Sequence, residues 1–85
     1  MFKITYNKQA ERELRKLPEN QAERIRQKME IIAQDPYDQH NNVTKLKDRP
    51  GYRLRVGDWR VIYKIFDDQV CILVVKIAPR GSVYR

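Results

Sequence analysis

Two short apolar segments, Tyr52-Arg53-Leu54-Arg55-Val56 and Trp59-Arg60-Val61-Ile62-Tyr63, are separated only by Gly57-Asp58. A two-residue Gly-X connection closes a β-hairpin, because glycine supplies the positive φ that a type II′ turn needs at its first central position. The short loop sets the register. Val56 falls opposite Trp59, Arg55 opposite Arg60, Leu54 opposite Val61 and Arg53 opposite Ile62. Period-2 alternation then sends Leu54, Val56, Trp59 and Val61 to one face and gathers Arg53, Arg55, Arg60 and Lys64 on the other. Like charges placed directly opposite cost stability, so an anion is the natural occupant of that second face.

Charge is distributed in the same sense. The formal net charge of the 85-residue chain is +7. Residues 1–44 hold eight basic and seven acidic side chains, whereas residues 45–85 hold ten and four, so the excess travels with the strands. Such a surface attracts a phosphate backbone or an acidic protein through a largely sequence-independent term; a plainly solvated basic surface is the alternative. With one cysteine, Cys71, in the apolar run Val70–Val75, no internal disulfide forms, and ordinary packing in a reducing compartment is expected. No apolar run approaches the roughly 20 residues of a membrane-spanning helix, and Met1–Thr5 lacks a signal-peptide core, so a cytoplasmic protein is expected.

Residues 1–85 read as one domain, without repeat, linker or low-complexity tract. Phe2–Tyr6 alternates as a first strand. Asn7 offers a helix cap to a short helix with Ala10, Leu14 and Leu17 on one stripe and Glu11 and Arg15 as an i,i+4 pair. Pro18 breaks that helix, and a second runs to about Gln34 with Ala22, Ile25, Met29 and Ile32 at helical spacing. Tyr37–Thr44 reads as a polar loop. A second hairpin, closing at Asp67-Asp68, pairs Ile65 with Val70, Tyr63 with Ile72 and Val61 with Val74, and the last strand runs to about Ala78 before Pro79. The fold class is therefore α+β: a small antiparallel-rich sheet of about four strands, with two N-terminal helices on the Leu54/Val56/Trp59/Val61 face.

On the opposite face this register leaves Ile62, Cys71, Leu73, Val75 and Ile77 beside the cations, with no third helix to cover them. A partner protein on this strip, or residues 79–85 folded back over it, are both open. Past the last strand, Arg80 can join Arg60 in a multidentate phosphate site, and Tyr84 can stack on a base or donate a proton. Lys45 and Lys47 lengthen the basic surface or are simply solvated. The single histidine, His40, has no second ligand nearby, and neither a nucleophilic triad nor a P-loop is present, so no metal and no cofactor are expected.

The stretch Gly57-Asp58-Trp59-Arg60-Val61-Ile62-Tyr63, the ending Pro79-Arg80-Gly81-Ser82-Val83-Tyr84-Arg85 and the strand-helix-helix-strand order resemble the RelE branch of the RelE/ParE toxins of bacterial toxin–antitoxin systems. The resemblance covers nearly the whole chain. It implies a toxin that acts as a metal-independent endoribonuclease, cleaving mRNA in the ribosomal A site, and that is silenced by a cognate antitoxin. Arg60 matches the family's phosphate-binding arginine, Arg80 its C-terminal arginine and Tyr84 its terminal tyrosine, which makes these the catalytic set. Lys45, Lys47, Arg53, Arg55, Lys64 and Arg85 are the RNA- and ribosome-binding set, and Ile62, Leu73 and Val75 the antitoxin-binding one. Arg53 and Arg55 stand where the best-studied type has lysines. A guanidinium stays protonated and is a poor base, so the general base is unassigned. A ParE-like inhibitor of DNA gyrase, and a toxin-fold protein that only binds antitoxin or nucleic acid, are the alternatives.

Overall fold

The computed structural model describes residues 1–81. Its elements are β1 (Lys3–Tyr6), α1 (Lys8–Lys16), α2 (Glu19–Gln34), β2 (Val43–Lys45), β3 (Tyr52–Val56), β4 (Trp59–Phe66) and β5 (Cys71–Pro79), with a 3-10 turn at Asp67–Gln69 between the last two strands. The five strands form one sheet in the order β1-β5-β4-β3-β2, in which β1 runs parallel to β5 and every other pairing is antiparallel. The α+β architecture expected from the sequence is present, with five strands in place of about four. The addition is β2, whose three residues pair with Leu54, Arg53 and Tyr52; so short a stretch carries no readable periodicity. Among the described residues no helix is long and apolar enough to cross a membrane.

Both helices begin and end for local reasons. The Asn7 carboxamide oxygen accepts from the Ala10 amide at 2.9 Å and caps α1. Leu17, extended at ψ 151° ahead of Pro18, ends it, and α2 starts at the next residue. Ala10 and Leu14 on α1, Leu17 after it, and Ala22, Ile25, Met29 and Ile32 on α2 are buried against Leu54, Val56, Val61, Tyr63, Ile72 and Val74 of the sheet. Each large apolar side chain buried in this way contributes about 1.5–3 kcal/mol as an upper bound. Tyr63 stacks on Tyr52, ring centroids 5.4 Å apart. Its hydroxyl is buried without a partner among the described residues, and burial pushes its ionisation upward.

The second hairpin departs from the expected register. Val70 adopts a left-handed conformation (φ +49°) after the 3-10 turn, and Ile65 pairs with Ile72 and Tyr63 with Val74. Ile62 then pairs with Lys76 and Val61 with Ile77, which leaves Val75 as the extra residue of a β-bulge. One inserted residue reverses the alternation beyond it. Ile77, expected on the open face, lies fully buried beneath the helices, and Ala78 takes the open side. Ile62 is not exposed either: at 5 % exposure it lies under Leu46, which with Ala78 and Val75 makes a second small cluster. Leu46 is held there by a hydrogen bond from its amide to the Gly51 carbonyl (3.0 Å). Gly51 has φ +117°, and a Cβ at that position would stand 2.9 Å from the Tyr63 carbonyl oxygen, so glycine is required. The expected apolar strip thus shrinks to the half-buried Cys71, Leu73 and Val75.

Beyond Tyr6, β5 has no strand on its β1 side, and side chains replace one. The Asn7 amide donates to the Val75 carbonyl at 2.8 Å, while Gln9 both donates to the Ile77 carbonyl and accepts from its amide, each at 3.1 Å. These bonds satisfy and block an edge that would otherwise invite another chain. Farther along, the Tyr37 hydroxyl donates to the Asp67 carboxylate (2.7 Å), tying the post-α2 loop to the β4–β5 turn and pushing the phenol up to about 12. Asn7→Ala should cost about 1–2 kcal/mol in urea denaturation, because it removes a helix cap and an edge bond together. Asn7→Asp, which keeps the cap but not the donor to Val75, should recover only part of that loss.

Candidate phosphate-binding groove

The β3–β4 hairpin carries the site in the register expected from its sequence: Arg55 lies opposite Arg60, Arg53 opposite Ile62, and Gly57 has φ +56°. Arg60 is also opposite Ala78 on β5, and Arg80 lies two residues farther along that chain. The Arg80 amide donates to the Asp58 carbonyl at 2.8 Å, which holds the end of β5 against the hairpin turn. Three arginines from three strands or their ends therefore converge on one spot.

Hydrogen bonds orient two of them. Arg60 Nη1 donates to the carbonyls of Gly57 and Trp59, each at 3.0 Å, so the guanidinium is turned toward the hairpin turn with donors to spare for a ligand. Arg55 Nη2 donates to Asn42 Oδ1 at 2.9 Å, and the Arg55 amide donates to the Asn42 carbonyl at the same distance. Asn42 sits at φ +68°, a conformation asparagine tolerates better than most residues. Partial burial, then the neighbouring guanidiniums of Arg55, Arg80 and Arg53, push the Arg60 pKa down; Asp58 opposes them. These guanidiniums repel one another, a cost that an anion bound among them would offset.

Three recesses are linked by shared lining residues, the first to the second through Thr44 and Arg53 and the second to the third through Asn42, Arg55 and Arg60. The first, about 410 Å³, is lined by Thr44, Lys45, Lys47, Asp48, Arg49 and Arg53 among others. Next, about 330 Å³ lies between Asn42, Thr44, Arg53, Arg55 and Arg60. The last, about 420 Å³, is bounded by Arg55, Arg60, Arg80, Asp58 and, from α2, Arg24 and Lys28. Among the described residues Asp58 is the one carboxylate lining this last recess.

Of the site residues expected from the sequence, Arg53, Arg55, Arg60 and Arg80 come together here, and Lys45 and Lys47 line the neighbouring recess. Lys64 does not line the three recesses; its stem is beside Gly51, behind Leu46. Tyr84 and Arg85 lie outside the described residues. Leu73 and Val75 are half-buried on the open face, whereas Ile62 is covered by Leu46 and unavailable as a contact surface. Arg24, Lys28 and Asn42 were not singled out from the sequence. The two α2 cations carried one signal, an i,i+4 pair of like charge; Asn42 carried none beyond its tolerance of a left-handed conformation.

Residues 4–84 match the family model described as the ParE toxin of type II toxin–antitoxin systems, parDE. Over 77 residues the chain is 23% identical to the mRNA interferase toxin RelE of Escherichia coli K12, covering 91% of this chain and 81% of that protein. Its fold is similar to that of the archaeal RelE–RelB complex from Pyrococcus horikoshii OT3, with a TM-score of 0.80, 29% identity, and 96% and 98% of the two chains covered. The intact E. coli RelBE toxin–antitoxin complex gives a TM-score of 0.80 at 21% identity, over 96% and 99% of the two chains.

Mutual repulsion across the hairpin is measurable without any ligand. A double-mutant cycle with R55Q and R60Q in urea at low salt should give an unfavourable coupling of about 0.2–1 kcal/mol between the two guanidiniums. In 1 M salt, where the Debye length is about 3 Å, the coupling should fall toward zero.

Proposed function

The chain belongs to the ParE toxin family of type II toxin–antitoxin systems, and from that premise we propose that it is a ribosome-dependent endoribonuclease that cleaves mRNA in the A site and is neutralised by a cognate antitoxin. The observation that carries this reading is the convergence of Arg55, Arg60 and Arg80 around one recess, with Arg53 in the next. Similarity to the mRNA interferase RelE and to RelE–RelB complexes supports it. So dense a group of guanidiniums suits a phosphodiester whose charge approaches two as the 2′-oxyanion attacks better than it suits a singly charged carboxylate.

The chemistry follows from what arginine can and cannot do. In metal-independent RNA scission the ribose 2′-oxygen attacks the adjacent phosphorus, the O2′–P bond forms, and the P–O5′ bond breaks. A base takes the 2′-hydroxyl proton, and an acid returns one to the leaving 5′-oxygen. Arg60 and Arg80 stabilise the negative charge that accumulates on the phosphate oxygens, a role for preorganised donors. Arg53 and Arg55 hold the flanking backbone, with Asn42 keeping Arg55 in place; Lys45 and Lys47 extend the contact toward ribosomal RNA. Tyr84 positions the nucleotide or assists proton transfer. The half-buried Leu73 and Val75 are where the antitoxin docks.

That the matching family model is the ParE toxin favours a second reading, inhibition of DNA gyrase on the same fold. Incubating the chain with programmed ribosomes and, separately, with gyrase and relaxed plasmid distinguishes them: cut mRNA with normal supercoiling is expected. Arg60→Ala should lower the cleavage rate on the order of 10²-fold or more while the protein remains folded, as loss of one transition-state donor does. Full cleavage by folded R60A would sink the assignment.

A further inference from the structure

Three of the seven helical cations pair with an acid three or four residues before them. Glu11 faces Arg15 and Glu13 faces Lys16 on α1, and Glu23 faces Arg26 on α2, all within 4.0 Å. Lys8 and Arg12 stand outside these pairs, and so do Arg24 and Lys28. The latter two stand one turn apart on α2, both exposed, and form no ion pair with another described residue. A like-charge i,i+4 pair costs a few tenths of a kcal/mol, about 0.2–0.5, so helix stability does not account for it.

Their position does. Both side chains line the same recess of about 420 Å³ as Arg55, Arg60 and Arg80, reached from the helix layer rather than from the sheet. Five cations thus surround it, with Asp58 the one carboxylate among the described lining residues. Lys28 also borders the next recess, about 240 Å³, beside His40, Asn41 and the exposed Ile31. The positive surface therefore does not stop at the arginine cluster; it turns the end of the hairpin and continues along α2.

We infer that Arg24 and Lys28 form a second phosphate-binding segment, which grips the backbone of single-stranded RNA one or more nucleotides away from the phosphate held by Arg60 and Arg80. This rests on the reading of the arginine groove as RNA-binding. A recess ringed by cations with little apolar lining fits a phosphodiester chain, whereas a peptide partner draws its affinity from buried apolar anchors. The apolar positions of the open face lie elsewhere, at Leu73 and Val75. The role of the pair is in binding and registration of the strand, separate from the reacting atoms.

The test is the salt dependence of binding a short fluorescent oligouridylate, followed by anisotropy, for the full chain and for R24Q/K28Q. Loss of two phosphate contacts should flatten the slope of log K against log salt by about 1.4. K3Q/R12Q, which removes two exposed cations outside the groove, should leave the slope unchanged, and urea denaturation should find R24Q/K28Q as stable as the parent or more so. An unchanged slope in folded R24Q/K28Q overturns the inference, as does an equal flattening in K3Q/R12Q. Weakened binding of poly-glutamate with an unchanged RNA slope assigns the segment to an acidic protein and overturns it as well. Cleavage of mRNA on programmed ribosomes is measured in parallel. If the parent chain cuts nothing while the slope still flattens, the endoribonuclease reading fails and the RNA track stands.

Discussion

Burial of Leu54, Val56, Val61 and Tyr63 beneath α1 and α2 is what holds Arg55 against Arg60. The two faces of a strand cannot be chosen independently: once one set of alternate side chains is committed to a core, the other set is committed to the opposite surface. Four large side chains buried on this hairpin contribute several kcal/mol in total, each about 1.5–3, against a cross-strand repulsion of at most about 1. The helices therefore do more than complete a core. They maintain a strained electrostatic arrangement that the open face would otherwise relax by slipping.

Three devices that are not electrostatic shape the open face around the cations. The Val75 bulge moves Ile77 into the core, Leu46 covers Ile62, and Asn7 with Gln9 occupies the backbone edge of β5. Together they remove most of the apolar surface of the open face and satisfy the outer edge of β5. What remains half-buried, Cys71, Leu73 and Val75, lies on β5, beside rather than within the arginine cluster. The open face thus holds a charged region and a separate, smaller apolar one, suited to phosphate contacts and to apolar burial respectively.

The arginine groove is a composite. β3 and β4 supply Arg53, Arg55 and Arg60, the end of β5 supplies Arg80, the loop after α2 supplies Asn42, and α2 itself adds Arg24 and Lys28. A ligand that touches all of them reports on the packing of the whole domain. Mutual repulsion among the cations is a cost that a phosphate accepting from several of them would offset.

How much of this was legible in the sequence depends on the range of the interactions. The β3–β4 register, the Asn7 cap, the break at Pro18 and the apolar stripes of both helices were readable because each is settled by residues within a few positions of one another. The resemblance carried by Gly57–Tyr63 and Pro79–Arg85 added the toxin family. Tertiary structure alone decided the pairing of β1 with β5, the strand status of Val43–Lys45, the bulge at Val75 and the approach of α2 to the groove. Each depends on contacts between distant segments: the bulge reverses an alternation that local pattern reading carries straight through, and Arg24 lines one recess with Arg60 only because the core places α2 beside the end of the hairpin.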